Sequence, residues 1–236
     1  MKPTVAIAST LTPDGKKMVL CQHDRDFSIA LDGQEIMTSR EYESELELAR
    51  LGCDRIKAKP RAKVLIAGLG LGFTLRETLD LLGPQAKVIV AELLPELIKW
   101  NRDHLGHLTD YPLHDRRVVV KSRDVRHVIR ESPATFDAIL LDVDNGPNAM
   151  TYGGNAQLYS PAGIRLAMQA LRPEGCLAIW AVGIDAHFKR TVQREGLYTC
   201  YFRVRAHKNS KALSRCVWVV TRQRQLLPFR DDAKHS

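Results

Sequence analysis

The spacing of apolar and polar residues divides the chain into two parts with different predicted structure. Up to about residue 37, short apolar runs separated by the turn sequences 13–15 (Pro-Asp-Gly) and 32–33 (Asp-Gly) predict strands. Residues 38–41 (Thr-Ser-Arg-Glu) have the form of a capping box, so a helix is predicted to begin there. A linker is predicted near Pro60, so residues 1–56 form a small β element with one helix.

From Val64 onward, apolar runs alternate with segments whose apolar residues recur at helical spacing. The runs predicted as strands are residues 64–68, 87–92, 117–122, 137–143 and 176–182, followed by a closing antiparallel pair at 198–206 and 214–222. Strands that are apolar on both faces and alternate with helices are typical of a parallel sheet covered on both sides. The sequence therefore predicts an α/β domain over residues 60–222, with residues 223–236 as a tail.

Composition and charge narrow the classes of function. The 236 residues are 44% hydrophobic and 26% charged, as in ordinary globular proteins. No apolar run approaches the ~18 residues of a membrane span, the start lacks a secretory signal, and five scattered cysteines match no zinc spacing. We therefore expect a cytoplasmic protein with reduced thiols, no metal and no membrane contact. The net charge of +8 fits either RNA or a solvated basic surface, and the lack of a dense basic run favours the surface.

A glycine-rich turn follows the first strand of the second part. Gly68, Gly70 and Gly72 lead directly into a predicted helix, where glycines let backbone N–H groups approach a ligand. The dinucleotide pattern G-x-G-x-x-G has its third glycine one residue later. The observed G-x-G-x-G spacing is typical of S-adenosylmethionine sites, although plain strand–helix turns also use glycine.

Acidic residues follow the next three strands. Glu92 ends the second, where a carboxylate can accept both hydroxyls of a ribose or can simply be solvated. Asp124 follows the third and either contacts an adenine or caps the next helix. Asp142 ends the fourth and either lines a ligand crevice or caps a turn. Because ligands bind outside the carboxyl ends of such strands, all three residues and the glycine loop are predicted to share one crevice.

Several long stretches resemble the spermidine synthase (polyamine aminopropyltransferase) family, up to about residue 220. The matching stretches are FSIALDGQEIMTSREYESELELA, VLIAGLGLGFTLRETL, VIVAELLPELIKWNR, FDAILLDVDNGP and LYSPAGIRLAMQALRPEGCLAIW. The resemblance implies a Rossmann-like, class I S-adenosylmethionine methyltransferase fold. In that fold a seven-stranded sheet with its last strand antiparallel follows a small N-terminal β element. The resemblance also implies a homodimer.

The same resemblance implies roles for individual residues. It implies that Glu92 holds the ribose, that Asp124 and Val125 meet the adenine, and that Asp142 is the base at an acceptor amine. The other residues predicted to bind the donor are Gly68, Gly70, Leu71, Gly72 and Leu93, and those predicted to bind the acceptor are Glu45, Asp144 and Tyr159.

Some positions depart from the family pattern. Leu71 stands where the family has an aspartate, Ile36 where it has a glutamine, and Glu45 where it has a tyrosine. The family's D-x-x-D is shortened here to residues 142–144 (Asp-Val-Asp). Glu41 and Glu45 are spaced i, i+4 on the predicted helix. Such a pair favours a solvated helix face, and added negative charge near the acceptor is the alternative.

The leading hypothesis is a transferase that alkylates a small amine, by aminopropyl or methyl transfer. Its donor substrate is S-adenosylmethionine or the decarboxylated form. The alternatives are a methyltransferase acting on another small molecule and a non-catalytic relative that binds a nucleoside or RNA. Nucleic acid is a disfavoured substrate, because residues 144–147 do not match the N-P-P-Y segment of base-amino methyltransferases. The misplaced third glycine disfavours a nicotinamide oxidoreductase.

Overall fold

The N-terminal strands form a small sheet of their own. The computed structural model describes residues 3–143, 155–210 and 212–228. Its first sheet is antiparallel, with the strands in chain order: β1 (Val5–Leu11), β2 (Lys17–His23), β3 (Asp26–Leu31) and β4 (Gln34–Thr38). Its buried side chains, Leu20 and Ile29 among them, pack with Trp100 and Leu105 from the rest of the chain.

The second sheet has seven strands in the order β10-β11-β9-β8-β5-β6-β7. They are β5 (Lys63–Ala67), β6 (Lys87–Glu92), β7 (Val118–Ser122), β8 (Phe136–Leu141), β9 (Leu171–Ala181), β10 (Tyr198–Val204) and β11 (Arg215–Thr221). Neighbouring strands from β9 to β7 are parallel, and β11 is antiparallel to both of its neighbours. The predicted fold class is therefore confirmed, including the antiparallel last strand and the β element in front.

Helices cover both faces of the large sheet. They are α1 (Glu43–Cys53), α2 (Phe73–Leu81), α3 (Pro95–Trp100), α4 (Val125–Arg130), α5 (Pro161–Ala170) and α6 (Ala186–Arg194). Alternate residues of a strand enter opposite cores: Leu65 packs on the side of α4 to α6, and Val64 packs on the side of α1 and α2. This explains why these strands are apolar on both faces.

The start of α1 differs from the prediction. The capping box at residues 38–41 was wrong, because Thr38 is the last residue of β4 and the Ser39 hydroxyl accepts a hydrogen bond from the N–H of Phe27 at 2.9 Å. The helix begins at Glu43, after Tyr42, whose side chain makes no capping hydrogen bond. Helix α6 was not predicted, although Asp185 caps it through the N–H groups of His187 and Phe188.

Helix α1 packs on the large sheet. Its residues Leu48, Leu51 and Cys53 join the core that contains α2 and one face of the large sheet. The division of the chain between residues 56 and 60 stays a prediction. Within the described residues, the structure contains no helix with the length and apolar character needed to cross a membrane.

Candidate functional site

A cavity of about 370 Å³ opens at the edge where the strands β5, β8 and β9 end. Strand β4 and the start of α1 form one wall, and the glycine loop after β5 forms another. Asp142, Trp180 and Arg215 complete the lining from the ends of β8 and β9 and the start of β11. Arg215 reaches this edge because β11 runs antiparallel to β9, so the start of β11 lies beside the end of β9.

The glycine loop needs its glycines for two separate reasons. Gly68, Gly70 and Gly72 all have positive φ, at 86°, 52° and 92°. At Gly68, a Cβ would also lie 2.3 Å from the backbone oxygen of Asp142. The loop backbone and the end of β8 are therefore in direct contact. Asn101, which the sequence did not single out, steadies the loop by donating from Nδ2 to the Gly70 carbonyl at 2.9 Å.

Glu92 lies beneath the glycine loop and is 5% exposed. Its Oε2 accepts a hydrogen bond from the N–H of Leu69 at 2.9 Å, and its Oε1 accepts one from the N–H of Leu94 at 2.8 Å. Burial raises the pKa of Glu92, and these backbone donors oppose the rise. The carboxylate thus ties the glycine loop to the turn after β6. Since each carboxylate oxygen has two lone pairs, acceptor capacity for a ribose is left.

Asp142 is held by a residue that sequence reasoning missed. The hydroxyl of Thr74, in the first turn of α2, donates to Oδ2 of Asp142 at 2.6 Å. Burial raises the pKa of Asp142 to about 6, although the Thr74 hydrogen bond opposes the rise. The sequence offered a signal for this contact, because a helix is predicted directly after the glycine loop. The first turn of such a helix faces the end of the neighbouring strand. A carboxylate with this pKa can accept a proton from an amine near neutral pH.

Glu45 does not belong to a solvated helix face, so that expectation was wrong. It lines the cavity and accepts a hydrogen bond from the hydroxyl of the buried Ser44 at 2.6 Å. Burial and the charge of Asp142 raise the pKa of Glu45 to about 8. Glu41 precedes α1, lines the same cavity and pairs with Arg215 at 3.1 Å. The prediction from the i, i+4 spacing was wrong because this spacing does not show what packs against a helix.

Four residues that were predicted to bind the donor lie outside the cavity lining: Glu92, Leu93, Asp124 and Val125. Asp124 caps α4 by accepting from the N–H of Arg126 at 2.8 Å. Burial opposes the change, but hydrogen bonds from Arg126 lower the pKa of Asp124. Val125 is buried at the start of α4, and Leu93 is exposed beside Glu92. Capping is thus the observed role of Asp124, and its contact with adenine stays a prediction.

The predicted acceptor residues separate into three groups. Glu45 lines the cavity, whereas Tyr159 is buried outside its lining and donates from its hydroxyl to the Val143 carbonyl at 3.0 Å. Asp144 lies outside the described residues. Two further positions that depart from the family pattern, Ile36 and Leu71, also line the cavity. Three positions that depart from the family pattern therefore line the same cavity: Ile36, Glu45 and Leu71.

The cavity is acidic although the chain is basic. Among the described residues that line it, four are acidic (Glu35, Glu41, Glu45 and Asp142) and one is basic (Arg215). Arg215 also lies over the ring of Trp180, with its guanidinium carbon 5.9 Å from the ring centroid. Across residues 3–143, 155–210 and 212–228, no three His, Cys, Asp or Glu side chains are grouped to hold a metal ion. The excess of acidic side chains in the lining attracts a cation.

Comparison by sequence finds a curated relative of this chain. No known family model matches the chain. A polyamine aminopropyltransferase of Oceanobacillus iheyensis is 27% identical over 170 residues, which are 70% of this chain. The match covers 32% of that protein, so the chain spans about a third of the length of this curated relative.

Solved structures share the fold over nearly the whole chain. A spermidine synthase in complex with the transition state analogue AdoDATO has a TM-score of 0.72 at 20% identity, over 94% of this chain and 76% of that one. A spermidine synthase from Thermotoga maritima has a TM-score of 0.69 at 19% identity, with the same two coverages. A probable spermidine synthase from Corynebacterium glutamicum has a TM-score of 0.64 at 16% identity, over 94% and 80%.

Proposed function

Because this chain resembles the spermidine synthases in sequence and fold, as its motifs predicted, we propose that it is an aminopropyltransferase-like enzyme. Its donor is a sulfonium nucleoside, decarboxylated S-adenosylmethionine or S-adenosylmethionine itself, and its acceptor is a small amine. The donor nucleoside lies across the glycine loop with its ribose at Glu92. The amine lies in the acidic cavity, where Asp142 accepts its proton.

The acidic cavity beside the glycine loop is the observation that carries this proposal. Although the chain has a net charge of +8, its described residues place four acidic side chains and one arginine around this cavity. Like charges are costly to gather unless a ligand of opposite charge binds there. Displacement at a carbon beside a sulfonium needs an oriented amine and the removal of one proton, and no covalent nucleophile. Asp142 is suited to both tasks because it lines the cavity and contacts the glycine loop.

A transfer assay with two donors tests this proposal. The protein is incubated with 1,4-diaminobutane and either decarboxylated S-adenosylmethionine or S-adenosylmethionine, and the nucleoside product is identified by mass spectrometry. Methylthioadenosine reports aminopropyl transfer, and S-adenosylhomocysteine reports methyl transfer. We expect methylthioadenosine in the wild type and its loss in Asp142→Asn. No transfer to 1,4-diaminobutane or to a panel of other small amines from either donor would refute the proposal.

Methyl transfer is a second candidate, and Leu71 favours it. This residue lines the cavity and is 6% exposed, where the related family has an aspartate. The wall at this point therefore offers no carboxylate to the amine of an aminopropyl group. S-adenosylhomocysteine as the sole product in the assay would select this candidate.

We also propose that the chain acts in the cytoplasm as a homodimer. Strand β1 lies at the edge of the small sheet and exposes Val5 and Leu11, at 56% and 65%. Apolar side chains on an unpaired strand edge favour pairing with another copy. Light scattering coupled to size-exclusion chromatography distinguishes the dimer from a monomer.

A further inference from the structure

The cavity contains a second carboxyl group beside the one that proton removal requires. Glu45 from α1 and Asp142 from the end of β8 both line it. The Thr74 hydroxyl lies between the two segments, 2.6 Å from Oδ2 of Asp142 and 3.4 Å from the backbone oxygen of Glu45. Burial raises the pKa of Glu45, and the charge of Asp142 raises it further.

Among the described residues that face this pair, the one cation is shared with a further carboxylate. On its own helix, Ser44 donates a neutral hydrogen bond to it. From β11, the charge of Arg215 lowers the pKa of Glu45, but that guanidinium is paired with Glu41 at 3.1 Å. From α2, the Thr74 side chain is neutral. From β4, Glu35 adds a further negative charge to the cavity, with Arg40 at 3.9 Å from it.

We propose that Glu45 and Asp142 act as one ammonium-binding unit, which holds a single proton in the empty cavity and releases it when a primary ammonium ion binds. The inference rests on the proposed function and specifies its acceptor, a primary amine that arrives protonated. In a partly buried site, repulsion between two neighbouring carboxylates opposes ionisation of both, so one proton stays with the pair. An ammonium ion supplies three N–H donors and the opposite charge, so both carboxylates can ionise around it.

The same pair then balances the transfer step. The bound ammonium gives one proton to the carboxylate pair, through Asp142, and becomes a neutral amine. Its nitrogen lone pair forms a bond to the carbon beside the sulfonium, and the carbon–sulfur bond breaks with its electrons going to sulfur. The products are a secondary ammonium ion and a neutral thioether, while the pair keeps the proton. Glu45 thus contributes by binding the ammonium and by strengthening Asp142 as a base.

Calorimetric titration with 1,4-diaminobutane, in the presence of methylthioadenosine, tests this inference without any turnover. Repeating the titration in buffers of different ionisation enthalpy gives the number of protons released per amine. For the wild type near pH 7, we expect release of about one proton. In Glu45→Gln the release should be lost, and amine affinity should fall by about 10- to 100-fold, as for one charge-assisted hydrogen bond. Glu43→Gln, the same change on the same helix outside the cavity lining, should match the wild type.

Glu45→Asp and the pH dependence of the wild type extend this test. The aspartate variant keeps a carboxyl group, so it should recover part of the proton release. If Glu45→Gln fails to fold, the wild type alone remains informative, because its proton release should fall toward zero between about pH 7 and about pH 9. Release that is constant over that interval would overturn the inference.

The outcomes separate this inference from the proposed function. No amine binding, amine binding without proton release, or release that persists in a folded Glu45→Gln would overturn the inference. Proton-coupled amine binding with no transfer in the assay above would refute the proposed function and leave the ammonium unit standing. Transfer without proton release would do the reverse.

Discussion

Replacing Glu45 with glutamine should stabilise the folded protein at alkaline pH and not at acidic pH. Burial and the charge of Asp142 raise the pKa of Glu45 from 4.5 to about 8. Between these values the folded state holds a proton that the unfolded state has lost, so the free energy of unfolding falls as the pH rises. The stability contributed by the protonated group is complete below about pH 4.5 and is lost as the pH rises through about 8.

The pKa shift sets the size of the expected effect. A rise from 4.5 to about 8 corresponds to about 5 kcal/mol for a fully enclosed carboxyl group. Glu45 is only partly buried, so solvent screening reduces the expected difference to about 2–3 kcal/mol. Glutamine keeps the shape and an oxygen that can accept the Ser44 hydrogen bond. The substitution therefore isolates the charge.

Urea denaturation followed by circular dichroism, at constant ionic strength, measures this effect. The free energy of unfolding is determined for the wild type and for Glu45→Gln between about pH 4 and about pH 9. The variant should gain about 2–3 kcal/mol on the wild type across this range. Glu43→Gln should run parallel to the wild type. A constant difference between Glu45→Gln and the wild type at all pH values would refute the reasoning.

Four further substitutions test the rest of the site. Thr74→Val removes the hydrogen-bond donor to Asp142, so the pKa of Asp142 should rise. The acid limb of the pH–rate profile should then move up by about one to two pH units, and an unchanged acid limb would contradict this. Asp142→Asn should lower transfer by about 10²–10⁴-fold, while calorimetry finds methylthioadenosine affinity within a few-fold of the wild type; lost donor binding would make Asp142 a structural cap. Glu92→Gln loses one acceptor oxygen, so calorimetry should show methylthioadenosine affinity lower by about 1.5–3 kcal/mol, and equal affinity would count against a ribose ligand. Gly68→Ala would place a Cβ 2.3 Å from a backbone oxygen at a φ of 86°, so thermal melts should show a Tm lower by several degrees, and an unchanged Tm would mean that the loop adjusts.

The fold was predictable because its determinants are local. Runs of apolar residues on both strand faces, separated by helical spacing, are enough to predict a covered parallel sheet. The rule that parallel strands present their carboxyl ends at one edge then brings Gly68 and Asp142 together, and the structure places their backbones in contact. That prediction needed no information about contacts between distant parts of the chain.

The remaining parts of the site depend on contacts between distant segments. Arg215 pairs with Glu41 across 174 positions, and no local pattern reports such a contact. Thr74 and Asn101 act through side-chain hydrogen bonds whose partners are set by packing. We expected Glu45 to be solvated because helical spacing shows which residues share a helix face and not what packs against that face. The capping-box prediction was wrong for the same reason, because the Ser39 hydroxyl accepts a hydrogen bond from Phe27 of β3 instead of from the next helix.

The position of β11 in the sheet has a consequence for the order in which the sheet assembles during synthesis. This strand is made after β9 and β10, yet it lies between them in the sheet. Strand β10 therefore has no neighbour in the sheet to pair with until residues 215–221 arrive and insert beside it. Because Arg215 belongs to the same strand, a nascent chain that stops short of it has an acidic cavity with one wall missing. The acidic cavity is thus expected to be complete only after residues 215–221 have joined the sheet, and the apolar edge of β9 stays exposed until then.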